Sequence, residues 1–239
     1  MAIHLGEIAA ARRRTLEGCD PESLHDLRVA MRALRVVLPL LGKQLEPLRQ
    51  EWAMLARITG PSRDLEVLLA LIDTLPRIPA TIRDRLSQQE NEARLILLKQ
   101  LASPQLPQLI QCTRIELNAA IHDLTLSQLR KRTEKRALHL HSVITQQISV
   151  LVTDSPPQAW HSLRLEVKRL RYLIEHCGDW LPSPWMSIHP PLKRCQTALG
   201  ELHDIDLLIS LIGYPLSEAR QSRQEVAQAA VTALTCALN

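Results

Sequence analysis

Residues 25–35 read HDLRVAMRALR, and residues 161–171 read HSLRLEVKRLR. The two segments share the pattern H-x-L-R-x-x-x-[RK]-x-L-R at a spacing of 136 residues. A second pair follows in the same order at a spacing of 140 residues, GPSRDLE at 60–66 and GELHDID at 200–206. Two segments repeated in order at nearly one spacing indicate an internal duplication. We therefore expect a single domain over 1–239, made of two homologous helical halves at about 1–115 and 116–239.

The sequence around the repeat indicates helices throughout the chain. Leu, Ala, Arg, Gln and Glu dominate, apolar residues recur three and four positions apart, and alternating strand-like runs are absent. Asp20-Pro21 should open a helix that ends near Leu41, and residues 154–157 should open another that ends near Cys177. Further breaks are predicted at residues 60–62, 76–79, 103–104, 182–184 and 213–215. Short connections favour antiparallel neighbours, so the sequence predicts an all-α protein built from helical bundles.

Each repeated helix carries its cations on one face. At 100° per residue, the four basic positions of either copy fall within a stripe about 80° wide that contains no acidic residue. The apolar stripe lies beside the basic one rather than opposite it. We name these stripes the first basic row (His25, Arg28, Arg32 and Arg35) and the second basic row (His161, Arg164, Lys168 and Arg171). Like charges at these spacings repel by a few tenths of a kcal/mol per pair, so an anionic partner is the simplest compensation.

Further cations are candidates for the same ligand. Arg63 and His203 follow the repeated glycines, where a helix would begin, and a helix amino terminus attracts phosphate. The aspartate after each of them is expected to offset the helix dipole, to cap free N–H groups or to pair with an arginine of the row. Possible additional ligands stand in clusters elsewhere in the chain: Arg12, Arg13, Arg130, Arg132, Lys135, Arg136, Lys193 and Arg194.

Composition and motifs argue against several functional classes. No run approaches the roughly 20 apolar residues of a membrane span and no leader is visible, so a cytoplasmic location is expected. The five scattered cysteines form no C-x-x-C pair and are interpreted as reduced core thiols. Nucleotide-binding, metalloprotease and serine-hydrolase motifs are absent, and arginines beside the repeated histidines disfavour a metal. We therefore expect no catalytic residue, no cofactor and no metal ligand.

These segments together resemble the CHAD family, the α-helical domains named for their histidines. The resemblance rests on both copies of the repeat, on GPSRDLEV at 60–67, on KRLRY at 168–172 and on LGELHD at 199–204. It covers nearly the whole chain. It implies two pseudo-symmetric antiparallel four-helix bundles around a basic central pore or groove, and binding of long-chain inorganic polyphosphate.

The expected function is non-catalytic binding of inorganic polyphosphate. The principal ligands would be Arg28, Arg32, Arg35, Arg164, Lys168 and Arg171. His25 and His161 would add hydrogen bonds, and charge when protonated, so binding should be tighter near pH 6 than near pH 8. Possible partners are polyphosphate granules and a polyphosphate-metabolising enzyme.

Two alternatives stay open. One is binding of an RNA or DNA backbone, which is less expected because single-strand binders usually add aromatic platforms and only Tyr172 stands beside a row. The other is a helical scaffold or regulatory partner of a polyphosphate-metabolising enzyme, with the Leu/Ala-rich tail from Leu216 to Asn239 as a possible interface.

Overall fold

The computed structural model describes residues 2–18, 20–73, 78–212 and 217–238. Most of these residues are helical and none of them lies in a β-strand, which confirms the all-α prediction. None of the described helices has the length and apolar character needed to cross a membrane. The breaks predicted at Pro76 and at residues 213–215 lie outside the described residues, as does Cys19.

The chain divides into two units, Met1–Thr125 and Leu126–Asn239. The first unit contains α1 (Ala2–Glu17), α2 (Ser23–Leu41), α3 (Glu46–Ile58), α4 (Gly60–Asp73), α5 (Ala80–Ala102) and α6 (Gln105–His122). The second contains α7 (Leu126–Val150), α8 (Pro157–Cys177), α9 (Pro184–Ser187), α10 (His189–Ile212) and α11 (Ser217–Leu238). Short 3-10 helices follow α2 at Lys43–Leu45 and α8 at Gly178–Trp180. The boundary expected near residue 115 falls within α6, and the two units divide after that helix.

Local interactions define where helix α2 begins and ends. Asp20 Oδ1 accepts the N–H of Glu22 at 2.9 Å, and the Asp20 carbonyl accepts the Ser23 hydroxyl at 2.6 Å. The helix therefore begins at Ser23, two residues after the predicted Pro21. It ends at Leu41, as predicted, because Gly42 adopts φ 150°, a conformation that L side chains rarely adopt.

Helix α8 has the bounds that the sequence predicts. Pro156 precedes it in an extended conformation and Pro157 is its first residue, where a missing N–H costs nothing. It ends at Cys177, and Gly178 starts the short 3-10 helix. Both helices that carry basic rows thus have defined ends.

The two repeated glycines differ in the structure. Helix α4 begins at Gly60, as predicted. Helix α10 continues through Gly200, so the prediction that His203 stands just after a helix start is wrong. The difference follows from Pro61, which has no N–H to give to a preceding turn, whereas glycine alone costs a helix about 1 kcal/mol. By the spacing of the repeat, α10 corresponds to α3 and α4 together.

The core of each unit contains the predicted apolar stripe. The stripes are fully buried: Leu27, Met31, Leu34 and Leu38 in α2, and Leu163, Val167, Leu170 and Ile174 in α8. Each such side chain contributes about 1.5–3 kcal/mol of hydrophobic stabilisation. In the first unit Trp52 joins the core, and its indole N–H donates to the Thr113 hydroxyl at 2.9 Å. The basic rows therefore lie next to rigid, packed helix faces.

The cysteines are only in part the core thiols that we expected. Cys177 and Cys195 are buried, and burial raises the pKa of both thiols to about 12, so both stay protonated. Cys112 is exposed on α6, which corrects the prediction for that residue. It lies beside Thr113, which faces the core, and one step along a helix turns the side chain by about 100°.

Helix α11 uses its apolar face inside the second unit. It packs on α10 and α7, with Ala227, Ala230 and Leu234 fully buried. These three residues give part of the Leu/Ala-rich tail a place in the core of its own unit, and the use of the tail as an interface stays a prediction. Arg223 fixes α11 by an ion pair with Asp206 of α10, in which Nε and Oδ1 are 2.7 Å apart.

The same arginine also binds the segment that precedes α8. Its Nη1 donates to the carbonyl of Thr153 and its Nη2 to the carbonyl of Ser155, both at 3.1 Å. Arg223 therefore joins α11, α10 and the approach to α8, the helix that carries the second basic row.

We expect Arg223→Met to lower the free energy of unfolding by about 3 kcal/mol. The substitution leaves the Asp206 carboxylate, whose side chain is 9% exposed, without its cation. Arg83→Met is the matched control, because Arg83 pairs with Asp73 where both side chains are about half exposed. The control should change stability by less than about 1 kcal/mol. Urea denaturation followed by circular dichroism measures both, and equal losses would contradict this role of Arg223.

Candidate functional site

The first basic row runs along α2 beside its buried face. His25 is exposed, while Arg28, Arg32 and Arg35 are half-buried. The pKa of Arg28 is lowered, chiefly because burial penalises the guanidinium charge, and the positive charges of Arg32 and Arg63 lower it further. The structure thus brings three of the predicted site cations into one neighbourhood.

Arg28 also holds the end of a helix. Its Nη1 donates to the carbonyl of Ala56 and to the hydroxyl of Thr59, each at 3.2 Å, at the carboxyl end of α3. A cation at this place offsets the negative end of the helix dipole. A Cβ added at Gly60 would lie 3.6 Å from the same nitrogen. Arg28 therefore spans the break between α3 and α4.

Carboxylates offset part of the positive charge in the first unit. Arg63 Nη1 lies 3.0 Å from Glu66, and Arg63 Nη2 lies 3.7 Å from Glu22. Glu66 also lies 3.7 Å from Arg94 of α5. Asp64 acts on Arg28 in the direction that raises its pKa, in line with the expected pairing of this aspartate with the row. Arg63 is thus engaged with acids of its own unit.

The second basic row follows α8 in the same manner. His161 is exposed, Arg164 and Lys168 are half-buried, and Arg171 is buried. Burial lowers the pKa of His161, and the positive charges of Arg164 and Lys168 lower it further. These three side chains therefore share a region of positive potential.

His203 joins this region from α10. Its ring centroid lies 5.2 Å from that of His161, and the two rings are tilted by 47°. The histidines come from the two motifs of the second repeat copy, which are 42 residues apart in sequence. The structure thus brings together four of the predicted site residues: His161, Arg164, Lys168 and His203.

Arg171 is held by the fold. Its Nε donates to Gln196 Oε1 on α10 and its Nη1 to Glu175 Oε2, both at 2.7 Å. Its Cζ also lies 4.1 Å from the centroid of the Tyr172 ring. Tyr172 stacks in turn on His176. Arg171 therefore anchors α8 to α10 at the end of the row opposite to the histidine pair.

Sequence reasoning missed the partners of Arg171. The Glu175 pairing carries a signal, because a carboxylate four residues after an arginine lies on the same helix face. No sequence signal indicates the contact with Gln196, because it joins two helices whose relative register is set by tertiary packing. Glu22, which precedes α2, was likewise not foreseen as a neighbour of Arg63.

The additional basic residues are mostly exposed. Arg12 is the exception, because its Nε donates to the carbonyl of Leu101 at 2.7 Å and ties α1 to the end of α5. The others lie at the surface of their helices: Arg13 on α1, Arg130, Arg132, Lys135 and Arg136 on α7, and Lys193 and Arg194 on α10. Their part in ligand binding stays a prediction.

Metal-binding side chains do not cluster in the part of the chain that the structure describes. Within it, no group of three or more His, Cys, Asp or Glu side chains is placed to hold a metal ion. His161 and His203 supply two imidazoles, and Arg164 and Lys168 beside them would oppose a divalent cation.

Comparison with known proteins identifies one family. The family model for the CHAD domain matches residues 1–213. A crystal structure of the CHAD domain from the plant Ricinus communis is similar to this chain, with a TM-score of 0.71 and 24% sequence identity over 98% of this chain and 87% of that chain. At this identity the similarity shows the fold. Among curated proteins there is no match.

We expect Arg28→Met and Arg171→Met each to lower the free energy of unfolding by about 2 kcal/mol, because each removes hydrogen bonds that a charged donor makes to the fold. Arg194→Met serves as control, since Arg194 is exposed on α10, and should change stability by no more than about 0.5 kcal/mol. Denaturant titrations of the three variants measure the differences. If the first two variants lose no more than the control, these arginines do not support the fold.

Proposed function

The chain belongs to the CHAD domain family, and on this premise we propose that it binds inorganic polyphosphate without transforming it. Each basic row would contact phosphate groups of polyphosphate, the ligand that the family resemblance implies. The ligand would come from polyphosphate granules or be shared with a polyphosphate-metabolising enzyme.

One observation carries this proposal, the placement of like charges together in each unit. Arg32 and Arg63 act on Arg28 as repelling charges, and in the second unit Arg164 and Lys168 act in the same way on His161. Such crowding costs free energy, which Asp64 and Glu66 offset in part around Arg28 and which a bound anion would lower further. Polyphosphate carries about one negative charge per phosphate unit, and guanidinium groups offer it repeated charge-assisted hydrogen bonds.

Some of the expected ligands also make contacts within the protein. Arg28 and Arg171 each give hydrogen bonds to the fold, and Arg63 is paired with Glu66. We propose that the main contacts with phosphate come from Arg28, Arg32, Arg35, Arg164, Lys168 and Arg171. Arg28, Arg63 and Arg171, which are held by contacts in the fold, would also attract the polyanion at long range. They would donate to phosphate through those N–H groups that their contacts within the protein do not use. His25, His161 and His203 would add hydrogen bonds.

A nucleic acid offers the same backbone charge, yet the aromatic side chains favour polyphosphate. Tyr172 is buried, with the Arg171 guanidinium over its ring and His176 stacked on it. Trp52 and Trp160 are also buried, and Trp180 and Trp185 are half-buried outside the two rows. Proteins that bind single strands gain about 1–3 kcal/mol per base from aromatic stacking, and these rings cannot supply it.

The absence of catalysis is part of the proposal. Both rows consist of cations and histidines, and metal-assisted phosphoanhydride hydrolysis needs carboxylates that hold Mg²⁺. Release of phosphate by the purified protein in the presence of Mg²⁺ would overturn this part of the proposal.

The double variant Arg32→Glu/Lys168→Glu should lose polyphosphate binding while its helicity is retained. Each substitution puts a carboxylate into one basic row, at a half-buried position. Arg85→Glu/Arg114→Glu is the matched control, since it changes the net charge equally at exposed positions outside the rows. Isothermal titration calorimetry at two salt concentrations measures binding, and circular dichroism measures helicity. Equal affinities of the two folded double variants would argue against the rows as the site.

Competition between ligands tests the choice of polyphosphate over nucleic acid. At fixed salt, long-chain polyphosphate should displace labelled tRNA, while tRNA at the same phosphate concentration should displace little labelled polyphosphate. We expect this order because polyphosphate offers charge without bases that need stacking partners. Fluorescence anisotropy measures both displacements. The reverse order would identify the protein as a nucleic-acid backbone binder.

A further inference from the structure

The two histidine rings of the second unit form a contact that can receive an anion. His161 is exposed on α8 and His203 is half-buried on α10, so the pair is open to solvent on the His161 side. With ring centroids 5.2 Å apart, the two imidazoles can both donate to the oxygens of one phosphate group. A neutral imidazole offers one N–H donor and an imidazolium offers two.

The charges on α8 favour an anion at this place. Arg164 and Lys168 follow His161 by about one and two helix turns, and both act on it as like charges. A phosphate bound at His161 would therefore lie within reach of these two permanent cations as well.

The helices packed against α8 add little further charge around His161. From α10 the neighbours are His203 and, next to it in the chain, Asp204. From α7 the adjacent end, residues 142–150, carries no charged side chain, and there Gln147 donates to the Ser162 hydroxyl at 3.2 Å. The short 3-10 helix after α8 lies at the other end of that helix. Among the described residues, α8 thus contributes Arg164 and Lys168 near the pair. On α10, Asp204 is next to His203 in sequence, and Asp206 follows about one turn later, paired with Arg223.

The first unit has no equivalent of this pair among its described residues. Arg63 stands at the position that corresponds to His203, and it is paired with Glu66. Arg63 keeps its charge at every physiological pH. Among the described residues, the second unit therefore joins two imidazoles at this place, and the first unit does not.

We propose that His161 and His203 together bind one phosphate group of polyphosphate and take up a proton from solvent as they do so. This inference rests on the proposed function. It places a pair of histidines at this site in the second unit, whereas Arg63, at the corresponding position of the first unit, keeps the same charge throughout this pH range.

The direction of the pH effect follows from the charges. In the absence of ligand, burial together with Arg164 and Lys168 lowers the pKa of His161 below its ordinary value of 6.5, so the ring is neutral at pH 7.5. Phosphate oxygens beside the ring raise that pKa, because they favour the imidazolium. The gain in affinity is complete below the pKa of the ligand-free ring and is lost as the pH rises above the pKa of the bound ring. Affinity changes by about tenfold per pH unit for each full proton taken up.

Calorimetry in two buffers with different heats of ionisation counts the protons directly. Wild-type protein titrated with long-chain polyphosphate at pH 6.5 and 7.5 should take up about one proton more than His161→Gln/His203→Gln. His122→Gln is the control, since His122 is an exposed histidine at the end of α6 and outside both rows. It should take up the wild-type number of protons. Circular dichroism confirms that the variants are folded.

The outcomes separate the inference from the function on which it depends. Equal proton uptake by the wild type and the histidine double variant, with both binding polyphosphate, would overturn the inference alone. Failure of the wild type to bind at either pH would overturn both. If the double variant does not bind or does not fold, an NMR titration of the wild-type His161 ring decides: a pKa raised by polyphosphate supports the inference, and an unchanged pKa overturns it.

Discussion

The structure depends on one constraint: each of two helices places several positive charges close together and also packs its neighbouring face into a core. In α2 and α8 the cations lie directly beside fully buried leucines, so they cannot move away from one another without disturbing the core. Arg171 is buried, and burial lowers the pKa of Arg28, so part of this charge lies away from solvent. Like charges within a row repel one another, and around Arg28 the carboxylates of Asp64 and Glu66 offset part of that repulsion.

The two units relieve this repulsion in part, and by different means. In the first, Glu66 and Glu22 stand near Arg63, and the end of α3 accepts hydrogen bonds from Arg28. In the second, Glu175 and Gln196 hold Arg171 at one end of the row, while His161 stays neutral near pH 7.5 at the other. Two copies of one sequence pattern have thus reached unequal charge distributions.

Sequence patterns predicted those features that local chemistry decides. The helical class, both apolar stripes and the bounds of α8 follow from periodicity and from prolines at a helix start. The contact between His161 and His203 is a tertiary contact that joins the two repeated motifs. Both residues were candidate phosphate ligands because of their positions in these motifs. The burial of Arg171 and the exposure of Cys112 depend on how helices face one another, which a single sequence does not record.

The proline at position 61 has a consequence for the chemistry of the neighbouring row. The break at Pro61 ends α3, and at this end the Ala56 carbonyl accepts hydrogen bonds from Arg28 Nη1 and from the Thr59 hydroxyl. One imino acid, 33 positions along the chain from Arg28, thereby places part of the hydrogen-bonding capacity of that guanidinium in the architecture of the first unit.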